Sequence, residues 1–494
     1  MSTGSLKGKV NRATAWSSVT EIFAKLISPI VNMVLARLLA PEAFGLVATI
    51  TMVISFAEIF TDAGFQKYII QHEYKDEDEL NRSTTVAFWT NFILSALICA
   101  VIFFFRDSIA NLVGSPGLGN SISIASLLII IASFSSIQMA RYKRSFDFKT
   151  LFFVRMGTTF IPLVVTVPLA FVFRNYWALI IGNFASQIFS AVILTVKSKW
   201  KPSFYYSVPL LKEMISFSAW TLLESISVWL TSYIGVFIVG NYLNEYYLGI
   251  YKTSMSTVNS YMAIITGAIT PVLFSTLSRY QTDDVNFRKS YYSMQRMVAI
   301  FVFPMGIGIF LFRDLFTSIL LGAQWTEAAE FIGLWGLTSA VTIVFSHFSS
   351  EVYRSKGNPK VSLFVQLFHL LFLIPTLLIS TKYGFSVLCT ARSLIRIHLM
   401  LSAMIVMRIL YKFKISEVVR NIAPMLISSL VMGFAGYGLQ KVSSNIIWQI
   451  ISVLICIVVY FAFLLLVFKN TRREFMETSI VKKMQFKLKI KSNK

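Results

Sequence analysis

The sequence predicts an all-α polytopic membrane protein of about fourteen transmembrane helices, and three observations predict it. Apolar stretches of roughly 20 residues, the length that crosses a bilayer, recur from one end of the chain to the other. Only 14% of the 494 residues are charged and 56% are hydrophobic, whereas a soluble domain carries about 25% charged residues. The Lys and Arg residues behind the net charge of +22 gather in alternate loops. A soluble multidomain protein is excluded at this step, and so is a nucleic-acid binder, which needs a folded basic face outside the membrane.

The spans follow in order. Apolar runs lie near 13–38, 43–69, 83–105, 121–140, 150–173 and 176–197. The next six lie near 213–240, 247–276, 290–312, 328–350, 360–380 and 384–407, and a final pair near 419–439 and 446–468. Lys7, Lys9 and Arg12 precede a first span too long, and too polar at Glu21 and Lys25, for the apolar core of a cleavable signal; it is expected to stay as a helix. With the N-terminus cytoplasmic, the even-numbered loops should be the basic ones. They hold Arg141, Lys143, Arg144 and Lys149; Lys197, Lys199 and Lys201; Arg279, Arg288 and Lys289; Arg354, Lys356 and Lys360; and Arg408, Lys412 and Lys414. The opposite loops carry isolated cations such as Arg174, Lys382 and Lys441. An even number of spans with both termini cytoplasmic satisfies this alternation. The tail beyond Lys469 alternates basic and apolar residues, as an ordinary cytoplasmic tail or a segment drawn to anionic lipid does. Cys99, Cys389 and Cys456 all fall inside spans and read as small buried hydrophobes.

The two halves resemble each other. Ala15-Trp16 matches Ala219-Trp220, Leu39 matches Leu243, and Phe44-Gly45-Leu46 matches Leu248-Gly249-Ile250. Phe105-Arg106-Asp107 then matches Phe312-Arg313-Asp314, and Tyr142, Lys149, Phe153 and Val154 match Tyr353, Lys360, Phe364 and Val365. Six spans separate the copies, so both enter the membrane in one orientation, the parallel repeat of two bundles that rock about a central cavity. The expected organisation is an N-lobe at 1–205, a C-lobe at 206–412, a helix pair at 413–470 and a basic cytoplasmic tail at 471–494.

The segment 36–71, ARLLAPEAFGLVATITMVISFAEIFTDAGFQKYIIQ, resembles the signature of the polysaccharide transporter family. That family belongs to the MOP superfamily, which also holds the MATE drug exporters. The similarity continues through ARYKRSFDFK at 140–149 and through 274–337, where LFSTLSRYQTDD, FRKSYY and LLGAQW keep the family's order. The resemblance implies a flippase of the bacterial inner membrane. Its cargo would be an undecaprenyl-pyrophosphate-linked oligosaccharide, carried from the cytoplasmic to the outer leaflet by alternating access. The product would serve O-antigen, capsule or exopolysaccharide assembly. Membrane lipids, and the polymerase and chain-length proteins of the same pathway, are the implied partners; no cofactor is implied beyond a coupling ion, H+ or Na+.

Ionisable residues at membrane depth are functional candidates because they must face protein or water. In the first span Ser17, Glu21, Lys25, Ser28 and Asn32 form one polar face, and Thr51, Ser55, Glu58 and Asp62 repeat it in the second. Glu21 and Lys25 read either as cavity lining or as an i,i+4 ion pair that packs the bundle. Glu58 and Asp62 are candidates for ion coupling, although Asp62 lies near a span end where solvation is cheap. Arg392 and Arg396 stand four apart in the twelfth span, where guanidinium forks would suit a pyrophosphate or acidic sugar. Glu224 is a candidate counter-ion or coupling group for them. Arg155 and Arg296, about two turns inside their spans, either meet the diphosphate as it enters or snorkel to the interface.

No GxxxxGK[ST] sequence, HExxH or CxxC pair is present. The triplet Asp76-Glu77-Asp78 resembles a metal-nucleotide motif but sits in an acidic run, HEYKDEDEL, and reads better as a solvated cluster. No loop exceeds roughly 15 residues, which leaves a membrane-embedded glycan-processing enzyme nowhere to build a site. A MATE-like drug or cation antiporter is the main alternative, and Lys25, Arg392 and Arg396 argue against it. A lipid II flippase is a further alternative with a weaker match.

Overall fold

The computed structural model describes residues 3–62, 64–468 and 471, and every regular element among them is helical. The first half runs α1 (Thr3–Leu38), α2 (Pro41–Asp62), α3 (Phe65–Gln71), α4 (Glu77–Phe104), α5 (Arg106–Leu112) and α6 (Gly119–Arg144). Helix α7 (Phe148–Ile161) continues through a π-turn, Pro162–Thr166, into α8 (Val167–Phe173), and α9 (Trp177–Lys197) follows. The second half runs α10 (Val208–Tyr242), α11 (Glu245–Arg279), α12 (Asp284–Leu311), α13 (Arg313–Leu320) and α14 (Ala328–Thr342). A second π-turn, Ile343–His347, leads to α15 (Ser349–Ser355), α16 (Pro359–Thr381), α17 (Phe385–Leu394), α18 (Arg396–Tyr411), α19 (Ile415–Gln440) and α20 (Ile446–Val467). Helices are the expected solution, because a lipid-exposed backbone must satisfy its own hydrogen bonds.

Among the described residues, 13 helices are long and apolar enough to cross a membrane. The first expected span, 13–38, is not among them. It lies in a helix of 36 residues, several of which, Glu21 among them, have side chains outside the described residues. The basic tail beyond residue 471 lies outside the described residues. The repeat is visible in the elements: α4 and α12 have 28 residues each, and each is followed at once by a short helix opening on Arg-Asp, at Arg106 and Arg313.

Local chemistry sets the helix ends. Asp76 caps α4 by accepting from the Glu79 amide at 2.7 Å, and the Glu79 carboxylate accepts from the Lys75 amide at 2.6 Å. Glu77 pairs with Arg141 at 3.0 Å. Asp76 of the acidic triplet therefore starts a helix, and Glu77 ties that start to α6. Asp147 and Asp283 start α7 and α12 in the same way. At the end of α3, Arg144 donates to the carbonyls of Ile69, Ile70 and His72 at 2.9, 3.2 and 2.7 Å, satisfying acceptors a helix C-terminus leaves open. Between α4 and α6 the contacts are small and polar: Asn91 donates to Ser136 at 2.7 Å, and Cys99 meets Ser126 at 3.1 Å.

The chain forms two compact units. The first comprises residues 1–268, 320–328 and 360–395, and the second 269–319, 329–359 and 396–494. The second is held by α12, α19 and α20, where Tyr460 donates to the Ile300 carbonyl at 2.7 Å and Asn421 to Gln295 at 3.1 Å.

Candidate functional site

Five helices of the first unit, α1, α2, α6, α7 and α9, surround a cavity of about 710 Å3, a size typical of small-molecule sites. Helical spacing builds its wall. On α2, Thr51, Ser55 and Glu58 recur at steps of four and three; on α9, Asn183, Ser186, Gln187 and Ser190 share one face. Helix α7 adds Arg155 and Thr158, and its π-turn begins at Pro162 on the cavity wall. A π-turn widens a helix locally and recurs at functional sites.

Charge is confined to one end. Glu58 lies one turn before the end of α2, Lys143 is the next-to-last residue of α6, and Arg155 stands about 10 Å into α7 at 1.5 Å per residue. All three face the end that carries the basic loop 141–149. Thr51, Ser186 and Asn183 follow, and Val47, Ile50, Ala125, Leu128 and Ile180 line the far end. Several hydroxyls are already engaged. Thr20 donates to the Trp16 carbonyl at 2.7 Å, Thr158 to the Arg155 carbonyl at 3.0 Å, and Ser55 accepts from the Trp229 indole at 3.0 Å. The amides of Asn183 and Gln187 add both donors and acceptors. The arrangement suits a ligand with an anionic end at the charged mouth and hydroxyls further in.

Of the residues singled out in the sequence, Thr51, Ser55, Glu58 and Arg155 line this one cavity. Lys25 places its ammonium against Gly267 of α11, where a Cβ would collide with it, and does not line the cavity. The side chains of Glu21, Asp62 and Glu224 lie outside the described residues. Arg296, half-buried in α12, belongs to the second unit. Arg392 and Arg396 lie on different helices. Helix α17 ends at Leu394 and α18 begins at Arg396, and the two arginines fall in different units. Arg392 is 6% exposed, and its Nε donates to the Tyr251 hydroxyl at 3.1 Å. Arg396 donates to Ser339 at 2.6 Å and lies 4.0 Å over the Trp335 ring. Lys143 and the polar face of α9 were not singled out. In the sequence Lys143 reads only as a loop cation, and the spacing of 183, 187 and 190 gives α9 a polar face with no charge to mark it.

A family model described as polysaccharide biosynthesis protein matches residues 34–330. The chain is 21% identical to the lipopolysaccharide biosynthesis protein WzxC of Escherichia coli (strain K12), over 76% of this chain and 76% of that protein. It is 22% identical to the succinoglycan biosynthesis transport protein ExoT of Rhizobium meliloti (strain 1021), over 69% and 68%. Among solved structures, the lipid II flippase MurJ in an inward closed conformation superposes with a TM-score of 0.74 at 16% identity, covering 93% of this chain and 99% of that one. That likeness is one of fold, and the fold is the one expected for the MOP superfamily.

Proposed function

The chain belongs to the polysaccharide biosynthesis protein family, and from that premise we propose that it flips a polyprenyl-pyrophosphate-linked oligosaccharide across a bacterial inner membrane. The observation that carries this reading is the cavity within the membrane-spanning helices, with Lys143 and Arg155 at its mouth and neutral polar groups behind them. The diphosphate meets the two cations near the cytoplasmic interface. The saccharide hydroxyls exchange water for Asn183, Ser186 and Gln187, and the prenyl chain stays in lipid. The loop charges favour fourteen crossings, α1 included, with both termini cytoplasmic. The repeated halves would supply alternating access, with Glu58 as the group that couples transport to H+ or Na+. Polymerase and chain-length proteins of the same pathway would take the product outside.

Proteoliposomes holding the purified protein and a fluorescent polyprenyl-pyrophosphate oligosaccharide test this. The label should become accessible on the opposite leaflet faster than in protein-free vesicles. Efflux of cationic dyes without glycolipid movement would instead identify a drug or cation antiporter.

A further inference from the structure

Two helix starts related by the sequence repeat cross within the first unit. Gly45 lies in the first turns of α2, and Gly249 holds the matching place in α11. A Cβ on Gly45 would fall on the carbonyl oxygen of Glu245, and one on Gly249 on the carbonyl oxygen of Pro41. Each glycine therefore receives the first turn of the other helix, an approach of two backbones that a side chain would block.

Two loops flank the crossing, again reciprocally. The loop after α13 reaches the end of α1, where Gln324 Nε2 donates to the Ala36 and Leu39 carbonyls at 2.5 and 2.9 Å. Trp325 Nε1 donates to the same Ala36 carbonyl at 2.8 Å; its side chain is fully buried and lies edge-on to Phe44 at 5.3 Å. Ala36 is among the last four carbonyls of α1, which have no partner inside the helix. The loop after α5 reaches the end of α10. A Cβ on Gly114, at φ +77, would meet the Gly240 carbonyl, and Asn241 donates to the Leu112 carbonyl at 3.1 Å. The first half of the chain thus closes on the second, and the second on the first. The matched family stretch, 34–330, opens on the acceptors of Gln324 and Trp325 and closes just beyond those two residues.

We infer that this crossing is a gate at the end of the first unit opposite the basic loop 141–149, and that Gln324 and Trp325 are the latch that holds it shut. The two residues act by position: they cap α1 and pin α2 through Phe44, so α2 and α11 separate only when the latch lets go. Cargo leaving on that side requires this step, and that part of the inference rests on the flippase reading.

The test uses the full chain with Cys99, Cys389 and Cys456 replaced. Leu39→Cys and Gln324→Cys are introduced together and bridged with a bifunctional maleimide. Bridging should lower glycolipid translocation about ten-fold or more relative to the same unbridged double variant, whereas the reagent leaves each single-cysteine variant at the rate that variant shows untreated. Undiminished translocation by bridged protein overturns the latch. A second readout needs no cargo. Leu39 is 0% exposed, so Leu39→Cys should react slowly with a membrane-impermeant maleimide, and Gln324→Ala or Trp325→Phe should speed the reaction. An unchanged labelling rate also overturns it. If unmodified protein translocates nothing while labelling responds as expected, the gate stands and the flippase reading fails.

Discussion

Replacing Arg155 by alanine should weaken capture of an anionic headgroup while leaving the protein folded. The side chain is exposed and lines the cavity mouth beside Lys143, so its removal leaves no hole in a packed core. At an effective dielectric constant of about 20, a guanidinium about 4 Å from a phosphate charge attracts it by about 4 kcal/mol. Desolvation of both groups reduces this to the net value of a charge-assisted hydrogen bond, about 1.5–3 kcal/mol. At about 1.4 kcal/mol per decade, the glycolipid concentration for half-maximal translocation should rise about ten- to hundred-fold. Initial rates in proteoliposomes, measured against glycolipid density, give that concentration, and detergent-solution chromatography checks folding. Arg155→Lys should recover part of the loss, because an ammonium keeps the charge but not the fork. Lys143→Gln should add to Arg155→Ala less than its own single effect, since both cations serve one ligand. If the half-saturating concentration is unchanged in Arg155→Ala and in the double variant, this mouth does not hold the anion.

Three further outcomes follow from the same structure. Glu58→Gln should make translocation insensitive to the imposed ion or pH gradient, and a gradient dependence identical to the unmodified protein returns Glu58 to packing. Asp76→Ala should lower thermal stability by about 1 kcal/mol through loss of the α4 cap, whereas Asp78→Ala should not. Equal losses of activity without a change in stability would revive a catalytic role for the acidic triplet. Arg396→Ala should destabilise the second unit by about 1–2 kcal/mol, because it removes the Ser339 hydrogen bond and the Trp335 contact. A fully stable variant with weakened glycolipid capture would place Arg396 in binding instead.

The fold was legible where one physical period dominates. Runs of about 20 apolar residues leave few alternatives to a crossing helix, and 13 such helices stand among the described residues. The candidate site was legible in part. Glu58 and Arg155 stood out because a charge at membrane depth is costly. Arg392 and Arg396 stood out for the same reason, yet they reach Tyr251 and Ser339, since burial demands a partner without saying which one. The neutral α9 residues carry no such cost, and nothing in their composition separates a cavity wall from a helix contact.

The sequence by itself determined the membrane class, the helical spans and the family, because these rest on local periodicity and on order along the chain. The tertiary structure decided which polar faces turn toward one another. Glu58, Lys143, Arg155 and Gln187 lie far apart in the chain and share a cavity only because α2, α6, α7 and α9 pack around it. Gly45 and Gly249 match in sequence, but only packing puts each against the other's helix. Contacts between distant segments are set by the mutual fit of whole helices, and no single segment encodes that fit.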